Sequence, residues 1–87
     1  MYFVYVLLSK KDGKFYIGQT QDLAQRIRRH ILGYVKSTKN RRPFELVYQE
    51  QFETRSEAMK KEKYLKSGAG HEYLRSAINA ARSTGYG

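Results

Sequence analysis

The run YFVYVLL, residues 2–8, constrains this chain more than any other stretch. Each of its residues is β-branched, aromatic or leucine, so both alternating faces are apolar, as in a strand covered on both sides. A chain of 87 residues has room for one modest core. A strand buried on both faces is then the middle of a single sheet with helices above and below it. SKKDGK supplies a turn around Asp12-Gly13, and KFYI resumes the strand pattern, which reads as a β-hairpin. If the hairpin loop is even in length, Tyr5 and Tyr16 share a face as direct or diagonal neighbours; an odd loop separates them.

The rest of the sequence supplies the layers. Gly18 closes the second strand, and Thr20 is the expected N-cap of a helix over 21–32, with Asp22 in its first turn. Leu23, Ala24, Ile27 and Ile31 form the apolar stripe of that helix, and Arg26 and His30 lie on its border, within reach of the sheet but not beneath the helix. Gly33 ends it. YVKSTKNRRP is a basic loop, and FELVYQEQF, residues 44–52, is a third strand of edge or half-solvated character. Thr54 and Glu57 make a capping box for a helix over 55–66, with Ala58 and Leu65 buried. Gly68-Ala69-Gly70 interrupts it, and a last helix over 71–82 buries Leu74, Ala77, Ile78 and Ala81. The fold class is therefore α/β: a three-stranded antiparallel sheet between helices, in the order β-β-α-β-α-α. One domain over 1–82 is followed by a loose tail over 83–87.

Composition excludes several chemistries. The chain has no cysteine, which removes disulfides, thiolate nucleophiles, zinc fingers and iron-sulfur clusters. Its two histidines, His30 and His71, are too far apart in sequence to form a transition-metal cage alone, so any metal is held by oxygen. The longest apolar run is far shorter than the roughly 20 residues that span a bilayer, and Ser9-Lys10-Lys11 follows it without a cleavage signal. A cytoplasmic location is the default expectation.

The largest compositional signal is charge: 17 Lys plus Arg against 8 Asp plus Glu, a formal +9. An excess of that size calls for an anionic partner. A membrane surface would want one long basic amphipathic helix with Trp or Leu opposite. Here the basic residues fall in three separate segments and tryptophan is absent, so nucleic acid is the expected partner.

Glu62 stands beside the Ala58–Leu65 stripe among Lys60, Lys61, Lys63 and Lys66. A lone carboxylate can anchor a magnesium ion that keeps most of its waters and takes substrate phosphate. The plain alternative is a helical pair with Lys66, worth a few tenths of a kcal/mol. Tyr5 and Tyr16 are ordinary strand aromatics unless a nearby cation such as Arg26 favours the phenolate, or a neutral hydroxyl orients a water. Arg26 and His30, taken alone, are a solvated basic helix face.

Taken together, the order Tyr5, then Tyr16-Ile17-Gly18, then Arg26 and His30, then Glu62 resembles the GIY-YIG nuclease domain. That domain occurs in some homing endonucleases, in restriction enzymes and in the nuclease subunit of bacterial nucleotide excision repair. The segments STKNRRPFELVY and EAMKKEKYLKSGAG are similar to those of the small stand-alone bacterial members, and the resemblance runs from Tyr2 to about Leu74. Tyr5 occupies the tyrosine of the first motif, with Phe3 and Val4 in place of its glycine and isoleucine. Tyr16, Ile17 and Gly18 match the second motif fully. Gln19 stands where the repair nucleases have a lysine.

The resemblance implies that Tyr5, Tyr16, Arg26, His30 and Glu62 are catalytic residues of a phosphodiester hydrolase. A tyrosine acts as base or positions the water, Arg26 stabilises the transition state, and Glu62 holds Mg2+ or Mn2+ as Lewis acid. Arg29, Lys36, Lys39, Arg41, Arg42, Lys60, Lys61 and Lys63 would grip the backbone of the nucleic acid, DNA before RNA, without reading sequence. With no second domain expected, specificity would come from a protein partner or from substrate shape. The alternative function is a protein that binds DNA or structured RNA on the same surface without cutting it.

Overall fold

The computed structural model describes the backbone of residues 1–86 and the side chains of residues 1–80. The tail expected over 83–87 and the expected burial of Ala81 lie outside the fully described residues. Chain order is β1 (Tyr2–Ser9), β2 (Phe15–Thr20), α1 (Leu23–Leu32), a 3-10 turn (Lys39–Arg41), β3 (Phe44–Phe52), α2 (Arg55–Lys66) and α3 (Gly68–Tyr86). The sheet order is β2-β1-β3 with both pairings antiparallel, so the doubly apolar run is the central strand.

The hairpin register decides the relation of the two tyrosines. Ser9 N–H donates to the Lys14 carbonyl at 2.9 Å, and Gly13, at φ 71°, donates to Ser9. Residues 10–13 form the loop, an even count, and Leu7 pairs with Tyr16 while Tyr5 pairs with Gly18. Directly paired residues point to the same side, so Tyr5 and Tyr16 are diagonal neighbours on one face. Gly18 does not end the strand as expected, because pairing continues through Gln19 to Thr20 opposite Phe3.

Each face has its own cover. Val4, Val6 and Ile17 pack with Ala58 and Leu65 of α2 and Leu74 of α3, each of the valine, isoleucine and leucine side chains contributing about 1.5–3 kcal/mol of burial. On the other face Tyr5 and Leu7 lie beneath α1 and the segment after it, where His30, Val35 and Thr38 are buried. Strand β3 carries a bulge: Val6 pairs with Tyr48 and Leu7 with Leu46, leaving Val47 extra. The extra residue lets both Val47 and Tyr48 pack against the α2–α3 core.

Two boundaries differ from the sequence reading. Helix α1 begins at Leu23 because the Asp22 carboxylate, not Thr20, accepts from the N–H of Gln25 at 3.1 Å. The Thr20 hydroxyl instead bonds the backbone of Asp22. Helix α3 begins at Gly68, since Ser67 alone closes α2 and then caps α3 by accepting from the N–H of Gly70. Gly70 is inside the helix, and a Cβ there would collide with the backbone of Tyr64 and Leu65, so the glycine serves the close approach of α3 to α2. The capping box of Thr54 and Glu57 and the Gly33 stop, at φ 83°, form as expected.

The buried face of α1 also differs. Ile31 is 57% exposed and Ala24 is exposed, while His30 is fully buried. A histidine can replace an isoleucine inside only if both ring nitrogens find partners, and here Tyr5 and Thr38 provide them. On α3 Leu74 is buried and Ile78 half-buried, whereas Ala77 faces out.

Candidate active site

Tyr5 projects from the central strand toward β2, and its ring crosses above Gly18. A Cβ on Gly18 would lie 2.5 Å from the Tyr5 hydroxyl, so only glycine leaves room for it. Tyr16 stands beside it with ring centroids 6.3 Å apart. Helix α1 then brings Arg26 and His30, one turn apart, to the same place. Arg26 Nε–H donates to the Tyr5 oxygen at 3.4 Å.

The hydrogen bonds around His30 form a directed chain. The Thr38 hydroxyl donates to the Val35 carbonyl at 3.4 Å, so its oxygen accepts from His30 Nδ1–H at 2.8 Å. That leaves Nε2 unprotonated, and the Tyr5 hydroxyl donates to it at 3.0 Å. Burial, reinforced by the Arg26 charge, lowers the His30 pKa to about 4, so the ring is neutral at physiological pH. Burial pushes the Tyr5 phenol up despite the hydrogen bond from Arg26, and the Arg26 guanidinium is pushed up by hydrogen bonding to Tyr5. A phenol of raised pKa beside an imidazole of lowered pKa does not transfer its proton. Tyr5 and His30 are therefore neutral, and Tyr5 donates to His30 while accepting from Arg26.

Glu62 comes from α2, the helix on the opposite face. The two faces meet because β2 is the outer strand of the sheet: Tyr16 and Gly18 point to one side of it and Gln19 to the other. The Gln19 amide donates to Glu62 Oε1 at 3.1 Å, and Lys66 Nζ lies 2.9 Å from Oε2. A groove of about 670 Å³ wraps this edge, and Tyr5, Tyr16, Gly18, Gln19, Arg26 and Glu62 all line it. Arg55, Met59 and Lys66 complete its α2 wall. With Glu62 they recur at i, i+4, i+7 and i+11, a helical stripe present in the sequence and overlooked because it carries only one apolar residue. Thr38, the partner that makes a buried His30 tenable, left no such signal.

His30 does not line the groove, which corrects its expected border position: it supports the site from within. Nor do the expected backbone-gripping cations line it. Arg29, Lys36, Lys39, Arg42, Lys60 and Lys63 are exposed elsewhere. Arg41 is committed to Asp12 at 3.0 Å. Lys61 sits 5.5–5.8 Å from the ring centroids of Tyr48, Tyr64 and Tyr73 and 3.6 Å from Glu50. Among the described residues no group of three or more His, Cys, Asp or Glu gathers as a ready metal cage, and no helix is long and apolar enough to cross a membrane.

The family model described as the GIY-YIG catalytic domain matches residues 1–73. A UPF0213 protein of Staphylococcus saprophyticus is 41% identical over 75 residues, covering 85% of this chain and 90% of the relative. One from Staphylococcus aureus is 43% identical over the same shares. The solution NMR structure of a UPF0213 protein from Bacillus halodurans matches with a TM-score of 0.55 and 40% identity, covering 87% of this chain and 84% of that one.

Proposed function

The chain belongs to the GIY-YIG nuclease family, and on that premise we propose that it is a divalent-metal-dependent endonuclease that hydrolyses phosphodiester bonds in DNA. The observation that carries this reading is the single groove shared by Tyr5, Tyr16, Arg26 and Glu62. The target phosphate lies in that groove. Arg26, held through Nε by Tyr5 and also hydrogen-bonded to Tyr16, lines the groove, where its guanidinium would bind the phosphate oxygens and stabilise the charge that grows there in the transition state. Tyr16, half-buried on the groove wall, is the phenol that meets the attacking water and positions it or takes its proton. Tyr5, bonded on both sides, holds Arg26 in place.

Glu62 is the residue that would hold the metal. A single carboxylate suits Mg2+ or Mn2+, which keep several waters and complete their shell with substrate phosphate. The bound ion would polarise the phosphoryl oxygen as a Lewis acid. Gln19 fixes one carboxylate oxygen, and Lys66 already places a cation against the other.

The Lys66 contact also favours a second reading, a nucleic-acid-binding protein whose acid is neutralised by its own lysine and which does not cut. Incubating the protein with branched, flapped, single-stranded and duplex DNA, with and without Mg2+ or Mn2+, separates the two. Metal-dependent scission abolished by Tyr16→Phe and by Glu62→Ala supports the nuclease. Salt-sensitive binding without scission of any substrate supports the second reading, and full cleavage by Glu62→Ala removes the metal role.

A further inference from the structure

Beside the groove, a second cavity of about 600 Å³ opens at the hairpin end of β2, lined by Lys14, Arg41, Arg75 and His71 with Asp12. The two share a wall: Phe15 and His71 line both, with rings packed edge to face at 5.6 Å. The charges in the second cavity do not balance. Asp12, its one acid, is consumed internally, one oxygen by Arg41 Nε and the other by the backbone N–H of Lys14. Among the described residues neither the Lys14 nor the Arg75 side chain has an acid partner. Two exposed cations that line one cavity without an acid partner leave it net positive, which favours an anion there.

We infer that Lys14 and Arg75, with His71 at the junction, form a second phosphate site that holds the backbone of the same nucleic-acid strand whose scissile phosphate lies in the groove. This rests on the reading of that groove as the active site and extends it in space. The strand runs along the outer edge of β2 and crosses the Phe15–His71 pair. From Lys14 to Gly18 the sheet rises about 13 Å at about 3.3 Å per residue. At 3.4 Å per nucleotide of stacked strand, the second phosphate is about four nucleotides from the reacting one.

The test is fluorescence anisotropy of labelled oligonucleotides in EDTA, where no scission occurs, with single-stranded and duplex probes in separate arms. Lys14→Ala combined with Arg75→Ala should weaken binding about tenfold or more and flatten the log affinity against log salt slope by about 1.4–1.8 units, the value of two lost phosphate contacts. Lys14→Arg should bind as wild type. Trimming the probe on one side to within about four nucleotides of the cut should erase the difference between wild type and variant. The arm in which this occurs identifies the form of strand held. An unchanged slope with intact wild-type binding overturns the second site and leaves the nuclease reading standing. A difference that persists on the trimmed probe also overturns it, since general electrostatics then suffices. Failure of wild type to bind either probe overturns the second site, while scission in the presence of Mg2+ or Mn2+ still decides the nuclease reading.

Discussion

The hydroxyl of Tyr5 occupies the space that a side chain at residue 18 would need, 2.5 Å from the ideal Cβ position on Gly18. The tyrosine of one strand and the glycine of the next are thus a single steric unit. Gly18→Ala should drive the Tyr5 ring off β2 and break its bonds to His30 and Arg26. We expect a loss of about 1–3 kcal/mol in denaturant unfolding and a more than tenfold drop in scission rate.

The two phenols should behave differently when their hydroxyls are removed. Tyr16→Phe should leave the unfolding midpoint close to wild type and lower the cleavage rate by about 10²–10⁴, the usual range for a proton-handling group. Tyr5→Phe strands His30 Nε2 in a buried site and should cost about 1–3 kcal/mol of stability, with a smaller fall in rate. Unfolding curves and single-turnover rates on both variants check the assignment.

His30 predicts an acid-side loss of stability. Its folded pKa, about 4, lies below the ordinary 6.5, so as pH falls the unfolded chain takes up the proton first. The contribution is fully present above pH 6.5 and is lost as pH drops from there to about 4, amounting to roughly 3 kcal/mol. His30→Asn should be less stable at neutral pH but should lose this portion of the slope. A chemical-denaturation series across that window is the measurement.

Lys66 and Gln19 should act on the metal in opposite directions. Lys66→Ala frees one oxygen of Glu62 and should lower the Mg2+ concentration for half-maximal scission severalfold. Gln19→Ala unfixes the other oxygen and should raise it. Calorimetric titration with Mn2+ in the absence of DNA gives the same comparison without turnover.

Lys61 should prove structural. Its ammonium is surrounded by three tyrosine rings and Glu50, contacts worth about 0.5–2 kcal/mol together at a partly desolvated site. Lys61→Ala should therefore lower the melting temperature, whereas Lys60→Ala, at an exposed position, should leave it unchanged. Thermal melts of the two variants decide this.

The strands were legible because their signals are local. The doubly apolar run needed two neighbours, but the loop parity around Asp12-Gly13 stayed open until the register showed a four-residue loop, 10–13, that puts Tyr5 and Tyr16 on one face. The α2 cap was equally plain, since Thr54 and Glu57 satisfy each other within one turn. The orientation of α1 was not legible. An apolar stripe puts Ile31 inside, but the rotation is set by Thr38, a residue from a later loop that satisfies His30. The partners of lone cations were illegible for a similar reason. Arg41 and Lys61 look like free charges in sequence, and only the fold brings Asp12 to one and a tyrosine cluster to the other. Gly18 and Gly70 read as breaks, although each marks a place where another part of the chain comes too near for a side chain.

Within the described residues β2 is hydrogen-bonded on one side only, to β1. A bare strand margin accepts a further strand readily, and one added there would run along the mouth of the groove and close it. A second copy paired along this edge would therefore compete with nucleic acid for the groove proposed above as the active site. Raising the protein concentration enough to drive such pairing would depress turnover per molecule, and saturating DNA would keep the protein dispersed.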